Sequence, residues 1–430
     1  MESIHSREAV TLLAINGIFS FALSLGGIFL QVFLFTLGGF RAVVEYNLIS
    51  ACFVIIFYMI SGWLLARMTL KNLLLLGLVS YIVLFSILFL FREQSLALLI
   101  PLGTLNGAAM GMFWAAMNLL QYMFTTDGTR HRFFGRQSFL FSVTGGVAPM
   151  LGGVIISLTG VFVFKELGYS FVFFFIALLM GVVYREAKKL PDHERILFSV
   201  RDVIGHQRSY VWKLVLVQDF FYGIFDFMFV AFAAVLVFIL VKEEFILGIV
   251  NAAGAMMGAA AALTASFVLG KKQTLFVAAS VMAAVGVGLF AGEQNWWGLL
   301  ALIFLFNAGM PVVNVAWSKT FFDIVDESGG TYWQKKYYLF FEREVATGLG
   351  RIVSLLIFFL FVNEKNQYEI ARVAVGLLAV MPLCIGFILY RITRCVPTHH
   401  REKSPICHSR PLRHSSSEAS EGGNPDLSLE

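Results

Sequence analysis

The sequence predicts an all-α polytopic membrane protein, with twelve transmembrane helices arranged as two six-helix pseudo-repeats. Three observations predict it. The 430 residues are 58% hydrophobic and 14% charged, with a mean hydropathy of +0.79; soluble domains carry about a quarter charged residues. Apolar stretches of the length that crosses a hydrocarbon core, about 20 residues, recur along the chain. Two of those stretches also form a weak internal repeat.

The first six spans are read at 9–37, 43–66, 70–91, 96–124, 136–164 and 167–185, and the second six at 211–241, 244–269, 273–291, 296–322, 340–362 and 368–391. The domain layout follows: a six-helix bundle over 1–185, a central loop over 186–210, a second bundle over 211–392, and a tail over 393–430. The tail is rich in Ser, Pro, Gly and Glu. It has too little apolar surface to bury a core and is expected to be disordered. The first span follows a single basic residue, Arg7, and runs far longer than the apolar region of a cleavable signal.

Lys and Arg set the orientation. Alternating the loops puts 26 of the 32 basic residues on one side, including Arg130, Arg132, Arg136, Lys188, Lys189 and Arg208. The other side holds Arg41, Arg92, Lys165, Lys242, Lys365 and Arg372. Positive charge is retained on the cytoplasmic face. Both termini and the central loop are therefore expected in the cytoplasm, with the protein in the plasma membrane.

The repeat lies in spans four and ten. Span four has Asn106, a run of small residues, Trp114 and Asn118; span ten has Asn307, small residues and Pro311, Asn314 and Trp317. Duplicated halves place a binding site at their interface near the bilayer midplane.

Several local patterns resemble the major facilitator superfamily. Between spans two and three, Gly62, Arg67 and Lys71 fit that family's loop signature, with Ala66 where an acid belongs. Span five carries Gly135, Thr144, Ala148, Pro149, Gly152 and Gly153, close to the Gly-rich motif of proton-coupled antiporters, with Gly145 and Gly146 beside it. Small residues let helices approach closely and Pro149 permits a bend. Span four has no Arg ahead of Gly107, where those antiporters carry one. The stretches Arg130–Gly135 and Glu342–Arg351 look like those of poorly characterised bacterial members. The resemblance implies two halves that rock about a central site lined by spans one, four, seven and ten. With span one free of acids, any proton machinery is expected in the second half.

Asp226 is the leading candidate there. It sits mid-span, where a carboxylate is costly and is therefore paired, neutral or facing a watery cavity. Asp219 is seven residues earlier on the same face. In span eleven, Arg351 and Glu344 are also seven apart and form a candidate charge-partner and gating cluster. Polar stripes mark a candidate substrate cavity: Asn16, Ser20, Ser24 and Gln31 in span one, Asn106, Trp114, Asn118 and Gln121 in span four, and Asn307 and Asn314 in span ten. With Phe227 and Phe229, such a wall suits an amphipathic or weakly cationic solute. The loop bases Arg130, Arg132 and Arg136 face a possible latch with Asp323, Asp326 and Glu327.

No HExxH, phosphate loop, nucleophile elbow or His/Cys cluster is present, and His193 and His206 are expected to be solvated. The cysteines lack zinc-site spacing and form no disulfide framework. The expectation is a non-enzyme without cofactor or metal: a monomeric secondary transporter in contact with membrane lipids and not nucleic acid. It moves a small-molecule substrate by alternating access, exporting it in exchange for protons. A lipid or glycolipid flippase, an uptake carrier, and a non-transport scaffold or sensor remain as alternatives.

Overall fold

A computed structural model describes residues 7–125, 127–162, 165–192, 195–196, 198–205, 208–268, 275–328, 336–363 and 365–395. The expected disorder of the tail beyond Cys395, and the solvation of His193 and His206, lie outside the described residues, as do Lys271, Lys272 and Lys335. Among the described residues the regular structure is entirely helical.

Among the described residues, eleven helical segments are long and apolar enough to cross a membrane. The first, α1 (Arg7–Leu65), has 59 residues, roughly 90 Å at 1.5 Å per residue, three times a hydrocarbon core. It is two spans. The chain turns at Gly38 and at Gly39, whose φ of 65° lies in the left-handed region that a side chain disfavours. Spans one and two are thus the limbs of α1, and the count is twelve.

Spans three to six are α2 (Leu70–Leu90), α3 (Leu99–Phe124), α4 (Asp127–Phe162) and α5 (Lys165–Ala187). The Thr69 hydroxyl starts α2 by accepting from the Asn72 N–H. The stretch read as a loop over 186–210 is partly helical: α5 runs to Ala187, α6 (Val200–Gly205) is a short helix, and α7 begins at Tyr210. Its Phe198 packs on Tyr337 and Phe341, which draws the connection against the bundle.

The second half contains α7 (Tyr210–Val241), α8 (Glu244–Val268) and α9 (Leu275–Glu293). Ser209 caps the start of α7, and Lys242 in the left-handed region ends it. Span ten is three pieces: α10 (Trp296–Ala301), a π-helical turn Leu302–Phe306, and α11 (Asn307–Glu327) with Pro311 inside. Span eleven is α12 (Tyr337–Phe361). Span twelve breaks near Ala379, ahead of Pro382, into α13 (Gln367–Leu378) and α14 (Met381–Cys395). Residues 393–395, read from the sequence as the start of the tail, are helical and belong to α14.

The halves meet along two seams. On one, α4 packs on α8, with Gly153 against the backbone of Glu244 and Gly248 against that of Pro149. On the other, the second limb of α1 packs on α12, and the Tyr337 hydroxyl donates to the Tyr58 carbonyl at 2.6 Å.

Candidate functional site

Two cavities lie between the halves. The first, about 460 Å³, is walled by Phe19, Ser20, Ser24, Phe229, Ile303 and Asn307 among others, and is mostly apolar. Pro149 and Gly145 also line it. Proline has no N–H to give the carbonyl four residues earlier, so Pro149 leaves a gap in the hydrogen-bond ladder of span five at the wall. The π turn of span ten, another feature common near functional sites, opens the opposite wall through Leu302, Ile303 and Phe306.

The second cavity, about 400 Å³, lies nearer the end of the bundle that holds the termini. Its wall is more polar: Asn118, Gln121, Gln137, Tyr222, Asn314 and Arg343. Trp114 and Phe141 line both cavities and separate them. Gln121 and Gln137 are more than nine-tenths buried. Each has one amide atom with no hydrogen-bond partner among the described residues, Nε2 in Gln121 and Oε1 in Gln137.

Behind this wall is a buried charge cluster between α7 and α12. Its geometry depends on two glycines. A Cβ on Gly223 would collide with the Thr347 carbonyl oxygen, and one on Gly350 with the Phe220 carbonyl oxygen. The two backbones can therefore touch, and ionic side chains on either side of the contact reach across. Arg351 donates from Nε and a terminal nitrogen to Asp226 Oδ2 at 3.1 and 2.7 Å, and from its other terminal nitrogen to Glu344 Oε1 at 2.9 Å. Its guanidinium also lies 4.4 Å from the centre of the Phe227 ring.

Asp219 has a different partner. Arg343 Nε donates to Asp219 Oδ1 at 3.3 Å, and Asp219 Oδ2 has no partner among the described residues. Arg343 was not singled out from the sequence, because it reads there as one of several charges in Glu342–Glu344. Helical periodicity carries the only signal: Arg343 is eight residues before Arg351, close to two turns. Its neighbour Glu342 points elsewhere, accepting from Arg208 and from Trp212 Nε1.

The predicted polar stripes divide. Ser20, Ser24, Trp114 and Asn307 line the first cavity, and Trp114, Asn118, Gln121 and Asn314 the second. Ser20 also shares a 2.8 Å hydrogen bond with Thr144 of span five. Three residues lie outside both walls. Asn16 is fully buried; Gln31 pairs with Asn47, whose Nδ2 donates to Gln31 Oε1 at 2.8 Å; Asn106 Nδ2 donates to Ser50 Oγ at 3.2 Å. These two amides bond between helices, the ordinary use of amides in lipid. In the span-five motif Gly152 faces Phe29, Gly153 faces α8, Ala148 is buried and Pro149 lines the first cavity, whereas Gly135 is half-buried near the start of α4.

Both ends of the bundle are bridged. At the termini end Arg130 of α4 engages both oxygens of Asp326, and the Tyr122 hydroxyl donates to Asp326 at 2.7 Å. Lys336 Nζ donates to the Tyr122 hydroxyl at 2.8 Å and to the Val325 carbonyl at 2.9 Å. Burial pushes the pKa of this ammonium below the ordinary lysine value, against the opposing pull of Asp326. At the far end the Phe40 N–H, free because it follows the Gly39 turn, donates to Gln367 Oε1 at 3.1 Å. Phe40 packs there on Phe232, Phe358 and Tyr368.

Known proteins share this architecture. The Escherichia coli fucose:proton symporter FucP superposes with a TM-score of 0.62 at 13% identity, covering 89% of this chain and 98% of that one. The human organic anion transporter MFSD10 superposes with a TM-score of 0.63 at 13% identity, covering 90% and 100%. At such identities the likeness is one of fold. In sequence, the chain is 25% identical over 365 residues to the Bacillus subtilis protein YqgE, with 83% of each chain covered. The pattern of the Major Facilitator Superfamily matches residues 12–333. Twelve spans in two halves around a central cavity, together with that match, establish an integral membrane protein of the transporter class: the chain belongs to the Major Facilitator Superfamily.

Proposed function

We propose that the protein is a proton-coupled secondary transporter of a small organic solute, working by alternating access. It sits in the cytoplasmic membrane as a monomer, with both termini in the cytoplasm, and its six-span halves over 1–185 and 211–392 rock about the two seams. One observation carries the proton coupling: three carboxylates, Asp219, Asp226 and Glu344, share two guanidinium groups, Arg343 and Arg351. A buried cluster with one carboxylate in excess reaches neutrality by taking up one proton.

Asp219 is the group we assign to that proton. Asp226, the leading candidate from sequence, is held by two bonds from Arg351. Asp219 is fully buried, has one long contact and keeps one oxygen unpaired. Glu344 has its own bond from Arg351.

Export in exchange for protons is the direction that the span-five motif supports, through Ala148, Pro149, Gly152 and Gly153. A second reading, entry together with protons, is favoured by the cation on the second cavity's wall, Arg343. The test is solute accumulation in proteoliposomes under inside-acid and inside-alkaline gradients. Accumulation into acid vesicles supports exchange, and accumulation into alkaline vesicles supports entry with protons. Accumulation that ignores the gradient would overturn the coupling, and gradient-driven accumulation that persists in Asp219→Asn would move the proton from Asp219 to Asp226 or Glu344.

A further inference from the structure

The second cavity presents a cation to its contents while the matching carboxylate stays behind the wall. Arg343 lines the cavity with its side chain about a quarter exposed (26%), whereas Asp219 is at 0%. Only Nε of the guanidinium bonds Asp219; its two terminal nitrogens make no protein hydrogen bond among the described residues. A guanidinium held at Nε, with both terminal nitrogens left over, suits a carboxylate, which accepts two parallel bonds.

The rest of the wall fits the body of such a molecule. Asn118, Ser138, Asn314 and Ser318 line the cavity with amide and hydroxyl groups, which match the hydroxyl groups of a solute. Trp114 and Trp317 line it with apolar rings, and Phe321 backs the Arg343 guanidinium, 4.5 Å from its ring centre. A volume of about 400 Å³ falls at the small end of small-molecule sites.

We infer that this cavity binds a small organic anion, a hydroxylated or aromatic carboxylate, at the terminal nitrogens of Arg343, and that its binding loads a proton onto Asp219. The inference rests on the second transport reading above, entry together with protons, and names its substrate class. Among the described residues the charged groups acting on Asp219 are Arg343, Glu344 and Arg351 of α12, with Tyr222 beside it on α7. Arg351 is committed to Asp226 and Glu344. Once a substrate carboxylate takes Arg343, Asp219 loses its counterion in a fully buried position. It then takes one proton from the water on the side to which the cavity is open. The empty carrier holds the pair Asp219⁻/Arg343⁺. The loaded one holds Arg343⁺, the anion and neutral Asp219. Both carry the same charge, so anion and proton move together without net charge transfer.

The experiment uses the purified full chain in detergent. Binding is read by quenching of the Trp114 and Trp317 fluorescence, and proton uptake by a pH dye in weak buffer. The probes are 4-hydroxybenzoate and gluconate, each against its uncharged amide. The acids are expected to bind about tenfold more tightly than the amides, with about one proton taken up per acid bound. Asp219→Asn should bind the acids at least as tightly with no proton uptake. Arg343→Gln/Asp219→Asn, which removes both charges of the pair together and strands neither, should lose the preference for acids. Amides binding as tightly as acids, no acid binding, or an unchanged preference in the double variant would each overturn the inference. Flux in proteoliposomes separates it from the transport reading. Acid binding without any flux keeps the anion site and removes the transporter; flux of organic cations without acid binding does the reverse.

Discussion

Asp219 and Arg343 meet through one contact, Nε to Oδ1 at 3.3 Å, with the acid sealed inside the bundle and the base on a cavity wall. Seven residues on, Asp226 is held by Arg351 through two contacts of 2.7 and 3.1 Å. Two acids on one face of one helix thus receive different treatment. The weakly held one is the one to which we assign the coupling proton.

Replacing Asp219 should separate driving force from movement. Asp219→Asn is expected to lose pH-gradient-driven accumulation by at least about tenfold, a lower bound beside the roughly 10²–10⁴-fold that a positioned proton-transfer group contributes in catalysis. Solute exchange without a gradient should survive. Both are read in proteoliposomes with counterflow as the second measurement. Intact gradient-driven accumulation would return the proton to Asp226 or Glu344.

Breaking the stronger pair should cost stability. Arg351→Gln leaves Asp226 and Glu344 without their shared cation, a loss of about 3 kcal/mol for a buried pair. The melting temperature in detergent should fall, and Arg351→Gln/Asp226→Asn should recover part of it. Equal melting temperatures for the single and double variants would mean the pair contributes no coupling energy.

The close approach of spans seven and eleven is expected to be intolerant of a single methyl group. Gly223→Ala puts a Cβ into the Thr347 carbonyl. The helices must separate, at about 1–3 kcal/mol for overpacking, and both ion pairs lengthen. Gly181→Ala, where an added Cβ meets nothing within 4 Å, should be neutral or slightly stabilising. Thermal unfolding of the two variants side by side checks this; similar melting temperatures would refute it.

The bridge at the termini end should behave as a latch. Arg130→Glu or Asp326→Lys alone should raise maleimide labelling of a cysteine placed at Ser138, on the second cavity's wall, several-fold. The double exchange should restore protection. Labelling that ignores the charges would make the bridge a static contact.

Membrane character, the number of spans and the polar faces were legible in the sequence because lipid imposes a one-dimensional rule. Each crossing needs its own run of apolar residues, and each backbone group is satisfied within its own helix. The same reasoning located Asp219, Asp226, Glu344 and Arg351 as costly charges, and put Ser20, Ser24, Asn118 and Asn307 on faces that line a cavity. It did not distinguish those from Gln31 and Asn106, whose amides bond a neighbouring helix, because periodicity names a face and not what stands opposite it. Which arginine meets which acid was decided by the tertiary structure alone. That pairing depends on the close contact at Gly223 and Gly350, which sets the register of α7 against α12 to within a turn. Arg343 came to the cavity wall, and Asp219 behind it, by that register.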